Sequence, residues 1–183
     1  LVRHYDRGGK TIFFSYNMTV HNAHEFMQCA GATALSTYTS PQPVYDWGTS
    51  TLFSNPQPVA NITAFTDLCT TDGQYLQTTT GIACAGHTVV YDATKAAIVV
   101  DPRRRIILNG FAPQIVTSGT QMQDLYINEI ALLLSGGKGV LAYVNDCNGS
   151  TDYVSPALAN LGFTDVTMAV DPLDFRTHLG SGY

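Results

Sequence analysis

Charge is what this chain has least of. Asp, Glu, Lys and Arg together make up 13% of its 183 residues, about half the usual share. The net charge of -5 argues against nucleic acid as a partner, because phosphate backbones are bound by clustered cations. Its one basic run, Arg103-Arg104-Arg105, is too short to reverse that argument and reads as a hairpin tip. Long apolar runs are missing too: no stretch of about 18 residues could span a membrane. Cysteine is sparse, and the absence of C-x-x-C disfavours a zinc site or thioredoxin-type redox chemistry. The four that exist, Cys29, Cys69, Cys84 and Cys147, fit two disulfides in an oxidising compartment, with three pairings open. No initiator Met or signal peptide opens the chain at Leu1, so it reads as a piece of something longer.

What is abundant is apolar and uncharged polar. At 45% hydrophobic and a mean hydropathy of +0.04, the chain can bury one sizeable core and is not disordered. Thr, Ser, Asn, Gln and Gly fill much of the rest. That balance suits a secreted, extracellular or cell-surface protein. Sequons at Asn17, Asn61 and Asn148 are compatible with glycosylation. They carry weight only together with the cysteines and the low charge.

The chain is organised around Lys138–Gly162. The unbroken apolar run Val140–Val144 suits a strand covered on both faces. Ser150 or Thr151 is placed to cap a helix, Asp152 sits in its first turn, and Gly162 is placed to end it. A second apolar strand, Val166–Val170, completes a βαβ unit, and such units are parallel and right-handed. A short helix over Asp171–Leu179 follows.

Taken from the start, Leu1–Arg7 predicts the end of a helix, Gly8-Gly9 breaks it, and Lys10–Tyr16 is a buried-type strand. Asn22 is placed to cap a helix reaching about Thr37. Prolines 41, 43, 56 and 58 make 40–77 a region of loops and brief strands. Three strand-like segments, Thr88–Asp92, Lys95–Asp101 and Arg105–Gly110, predict an antiparallel meander. Gln121–Leu134 is a helix with Met122, Leu125, Tyr126, Ile130, Leu133 and Leu134 at helical spacing, ended by Gly136-Gly137. The chain stops where a strand should begin and starts on the last turn of a helix. The order is that of a doubly wound sheet cut and rejoined.

Several stretches resemble one family. R-R-I-I-L-N-G-F-A-P (Arg104–Pro113) and L-Y-I-N-E-I (Leu125–Ile130) are similar to the closing segment of flavodoxin-like domains related to class I glutamine amidotransferases and the trehalose-utilisation type, found in large secreted bacterial proteins. G-G-K-T-I-F-F-S-Y (Gly8–Tyr16) and P-V-Y-D-W-G (Pro43–Gly48) resemble the middle of such domains. V-L-A-Y-V-N-D (Val140–Asp146) and Y-V-S-P-A-L-A-N-L-G-F (Tyr153–Phe163) resemble their beginning. The resemblance implies a flavodoxin-like three-layer α/β sandwich, with a parallel core (Val140–Val144, Val166–Val170, Thr11–Tyr16) extended by the antiparallel meander, in permuted order. On this reading residues 1–135 are the C-terminal part of an amidotransferase-like domain with a loop/β insertion. Residues 136–183 are the β-α-β-α opening of the same type of domain, permuted within the chain or belonging to a next copy. Catalysis is not implied.

Amidotransferases of this family carry a nucleophilic Cys at a strand-to-helix elbow. The nearest string here, G-I-A-C-A-G-H (Gly81–His87), has its Gly one residue too early and is followed by β-branched residues, so no helix N-terminus would activate Cys84. A half-cystine is the preferred reading of Cys84. His21-Asn22-Ala23-His24-Glu25 could offer metal ligands at a helix mouth, but no third ligand is evident, and capping or surface roles are preferred. Asn145-Asp146 and Asp152 lie where α/β sheets place ligands, yet a turn held by Asx hydrogen bonds explains them. Gly136–Gly139 precedes a strand and cannot be a phosphate loop. No catalytic residue, metal or cofactor is assigned. The expected function is a non-catalytic extracellular structural or assembly module. The alternative is a degenerate amidotransferase-like hydrolase whose nucleophile lies outside this sequence. Residues 136–183 either close on their own chain or complete the sheet of the next copy, a head-to-tail homo-oligomer that would grow as a filament.

Overall fold

The computed structural model describes residues 1–14, 18–65, 73–113, 116–134, 139–143 and 152–181. In chain order they form helix α1 (Val2–Asp6), strand β1 (Thr11–Phe14), a 3-10 turn (Thr19–His21), helix α2 (Glu25–Ala30), strands β2 (Ala32–Tyr38), β3 (Tyr45–Asp46), β4 (Gly73–Thr78), β5 (Ile82–Gly86), β6 (Ala96–Val100) and β7 (Ile106–Asn109), helix α3 (Gly119–Leu133), strand β8 (Val140–Tyr143), helix α4 (Val154–Asn160), strand β9 (Val166–Ala169) and helix α5 (Pro172–Ser181). The architecture is mixed α/β.

A seven-stranded mixed sheet runs β1-β7-β6-β4-β2, with β5 pairing β6 and β3. Its centre is the β6–β7 hairpin, every strand residue of which is buried. Successive side chains of a strand point to opposite faces, so the runs A-A-I-V-V and I-I-L-N need cover on both sides. Ile98, Val100 and Ile107 share a core with α3 and with Ala157 and Leu158 of α4. Val99, Ile106 and Leu108 share another with Tyr5 of α1 and with Met27 and Ala30 of α2. Non-alternating strands are what burial between two helical layers selects.

The hairpin turn is held from inside by Asp101, a fully buried carboxylate. It accepts from the Tyr5 hydroxyl and from the backbone N–H groups of Arg103, Arg105 and Ile106. Arg103-Arg104-Arg105 is therefore the hairpin tip that its sequence suggests. Arg104 takes φ 54° there, and the Arg103 and Arg105 guanidiniums lie 6.0 and 5.7 Å from the centre of the Tyr5 ring.

Several expected elements are present: α1, β1, α3, β9 and α5 all lie where periodicity places them. Ser118 caps α3 by accepting from the Gln121 N–H at 3.3 Å. Lys10 Nζ donates to the Leu133 carbonyl at the far end of that helix, where a cation meets unpaired carbonyls. Other expectations are corrected. The helix from Asn22 does not reach Thr37: it ends at Ala30, because Gly31 turns left-handed (φ 69°) and its carbonyl accepts from the Thr79, Thr80 and Gly81 N–H groups. Asn22 instead grips β2, both side-chain atoms bonding the Ala34 backbone at 2.7 and 2.8 Å. Thr88–Asp92 is not a strand. The meander's first strand is β5, whose small residues fit a crowded place: a Cβ on Gly86 would meet the Trp47 ring at 1.8 Å. The Ser150 and Thr151 caps lie outside the described residues; α4 starts at Val154, with Asp152 Oδ1 accepting from the Val154 and Ser155 N–H groups.

The expected single parallel core is divided. β8 and β9 pair in parallel as a separate two-stranded sheet, while β1 pairs in parallel with β7. Apolar runs announce strands but not their partners, and β7, buried on both faces, is the partner that β1 takes. The two sheets share a core all the same, with Ile12, Phe14, Val140 and Val166 packed against the α3 side.

Replacing Asp101 by Ala should cost on the order of 3 kcal/mol, since it strips a buried carboxylate from several donors at once. Urea unfolding followed by circular dichroism measures this. A loss below about 1 kcal/mol would show that the turn does not depend on the carboxylate.

Candidate functional site

β1 and β7 run parallel, so Phe14 and Asn109 sit side by side at their carboxyl ends, the end at which α/β sheets place their sites. Asn109 is fully buried and faces α3, where its Nδ2 donates to Glu129 Oε2 at 3.3 Å. Glu129 is 0% exposed as well. Phe14, the strand neighbour of Asn109, lies with its ring 5.6 Å from that of Phe111 and 5.0 Å from that of Tyr126. Burial drives the Glu129 carboxyl up to about 8, against the weaker pull of the Asn109 amide. The same burial raises the Tyr126 hydroxyl, and Glu129 adds to that shift.

The next residue, Gly110, joins this pair to a second polar group. Its carbonyl accepts from the Gln74 N–H at 2.6 Å and from the Tyr38 hydroxyl at 3.1 Å. Only glycine fits, because a Cβ would stand 2.3 Å from the Gln74 carbonyl oxygen. Gln74 Oε1 accepts from the Met18 N–H. Tyr38, Tyr75 and His87 form an edge-to-face triangle of rings 5.0 to 5.4 Å apart. His87 Nδ1 lies 2.9 Å from the Pro43 carbonyl oxygen, which makes Nδ1 the protonated nitrogen. Burial nevertheless holds the ring neutral, lowering it to about 4.

Among the described residues, the buried polar atoms Gln74 Nε2, His87 Nε2, Asn109 Oδ1 and Glu129 Oε1 have no hydrogen-bond partner. The arrangement can hold or release protons. It does not present a nucleophile. Cys84 lies inside β5, its thiol reaching the Ile82 carbonyl at 3.6 Å, and burial pushes it up to about 11. A thiol in that state is not the attacking species.

Cys29 and Cys84 carry free thiols. They do not pair with each other, since Cys29 packs on the α2 side of the sheet and Cys84 on the α3 side. Cys69 and Cys147 lie outside the described residues, as do Asn17 and Asn148 and the turn at Asn145-Asp146. Asn61 is exposed, and its Oδ1 accepts from the Asp46 N–H at 2.9 Å. His21 and His24 are exposed and touch edge to face at 5.1 Å. Among the described residues no three His, Cys, Asp or Glu side chains converge to hold a metal. No described helix is long and apolar enough to cross a membrane.

No family model matches this chain, and no curated protein does. The site is therefore read from its own geometry. Asn109 and Glu129 lie inside the strings L-N-G-F and I-N-E-I, where only a polar residue interrupting an apolar run signalled them.

His87 supplies a pH test. Its folded value near 4 lies below the ordinary 6.5, so the unfolded chain takes up the proton first. Stability contributed by the neutral ring is present above about 6.5 and is lost as pH falls towards 4, by on the order of 3 kcal/mol. His87→Phe keeps the ring triangle and removes the proton. Relative to that variant, the urea midpoint of the native chain should fall as pH is lowered from 7 to 4. An unchanged slope would place the acid sensitivity elsewhere.

Proposed function

We propose that the chain is a non-catalytic extracellular structural or assembly module, built on flavodoxin-like layering and associating with further copies of itself head to tail. The observation that carries this reading is the state of two strands. Among the described residues β1 bonds only to β7, and β8 only to β9. Both are apolar, T-I-F-F and V-L-A-Y, yet all their residues are only half-buried, whereas β6 and β7 are buried throughout. Strands with one free edge and incomplete cover are templates for pairing with another chain. On the proposal, the free edge of β8 in one copy meets the free edge of β1 in the next, so that residues 136–183 extend the neighbour's sheet while α4 keeps its own contacts with α3. Such a contact is heterologous and does not close on itself.

Low charge and the exposed Asn61 sequon support an extracellular setting. Cys84, buried, protonated and inside a strand, does not serve as a nucleophile; the hydrolase alternative places its nucleophile outside this sequence. Light scattering across micromolar concentrations, with negative-stain microscopy of the same samples, tests the proposal. Concentration-dependent growth into fibres or open oligomers is expected. A dilution-stable monomer near 19.7 kDa, without fibres, overturns it.

A further inference from the structure

The two orphan oxygens of the Asn109–Glu129 pair, Asn109 Oδ1 and Glu129 Oε1, share a peculiarity. Both are acceptors, and they belong to two side chains already joined by one hydrogen bond at 3.3 Å. A buried acceptor without a donor costs about 1 to 3 kcal/mol, and more when charged. The neighbouring Asn128 shows how the fold treats a buried amide when it can. Its Oδ1 accepts from the Gln57 N–H at 2.8 Å, and its Nδ2 donates to the Leu52 and Gln57 carbonyls, each at 2.7 Å. Among the described residues nothing comparable reaches Asn109 Oδ1 or Glu129 Oε1. A proton on the carboxyl would supply the donor that the amide oxygen lacks, while the amide N–H donates back.

We propose that Glu129 is held as a neutral carboxylic acid in a reciprocal pair with Asn109, and that this pair is a proton-operated latch fastening α3 to the end of β7. The two residues come from the two layers that the latch joins. Burial is what favours the neutral form of Glu129. Cys84 on β5 and Tyr126 on α3 are close enough to feel the carboxylate charge, and Asp152 and Tyr153, ahead of α4, act on Tyr126 in turn. These groups are neutral or acidic, and no basic group contributes to the shift at Glu129. Loss of the proton leaves a buried, unpaired charge facing an amide oxygen, so the latch opens with rising pH. This does not depend on the self-association proposed above.

The sign follows from the two states. Glu129 gives up its proton near the ordinary 4.5 when unfolded and near 8 when folded. Between those values unfolding releases a proton, so stability contributed by the pair is full below about 4.5 and is gone above about 8. Glu129→Gln is the informative variant, because its amide supplies the missing donor without titrating. Relative to this variant, the native unfolding constant should rise about tenfold for each pH unit across that window. Hydrogen exchange of α3, compared between the two proteins at each pH, should diverge near pH 8. Infrared spectroscopy of the native protein gives a second readout that does not require the variant to fold. A protonated carboxylic-acid carbonyl band should be present at neutral pH and absent once pH passes about 8. Equal pH dependence of the two proteins, or no such band at neutral pH, overturns the proposal.

Discussion

Burying both faces of the β6–β7 hairpin is the constraint from which the rest of this structure follows. A strand covered on one side can turn its polar residues to water, but a strand covered on both must satisfy every polar group at its ends within the protein. At the turn the requirement is met by Asp101, whose oxygens gather three backbone N–H groups and the Tyr5 hydroxyl. At the other end of β7 it is met only in part. Asn109 reaches Glu129, and each side chain retains an oxygen for which the described residues supply no donor. One end of the hairpin is thus rigidly satisfied and the other is open to a change of protonation. Function in an α/β sheet concentrates at the carboxyl end of its parallel strands, and here that is the incompletely satisfied end.

The same constraint separates what could be read along the chain from what could not. Apolar runs locate β1, β7, β8 and β9, helical spacing locates α3, and the low charge and turn residues make Arg103-Arg104-Arg105 a hairpin tip. Each of these signals is local. Partner choice is not local, and so the expected parallel core resolves into a β1–β7 pair and a β8–β9 pair. β5 was hidden for a different reason. Its residues Ala83, Cys84, Ala85 and Gly86 are small, and at Gly86 the Trp47 ring leaves no room for a Cβ, while the β-branched Val89 and Val90 that suggested a strand are 72% and 77% exposed. β-propensity describes residues that fit a pleated, half-buried surface, and tight packing from outside the strand overrides it.

The candidate site was the least legible part. Asn109 and Glu129 lie in strings whose resemblance to a known family was structural, and a single acidic residue in an amphipathic helix ordinarily faces water. Only the folded chain shows that Glu129 lies on the buried side, next to an amide from another element. Cys84 illustrates the converse, since its string suggested an elbow while its place inside β5 deprives it of the exposure and positive field that a reactive thiol needs.

Two buried titratable groups of opposite kind therefore act on the same hairpin region. His87 is held neutral by burial and resists taking up a proton; Glu129 is held neutral by burial and resists losing one. Burial penalises the charged form of each, so the acid limb belongs to the base and the alkaline limb to the acid. Their windows overlap between about 4.5 and 6.5, where the slopes have opposite sign and cancel. Above that interval only Glu129 still titrates differently in the folded and unfolded chains, and the balance tips against the fold. The physical consequence is a region most stable when neither side chain is charged, in mildly acidic surroundings. The part of the fold that gives way first on the alkaline side is the contact between α3 and β7, because that is where the uncompensated charge appears.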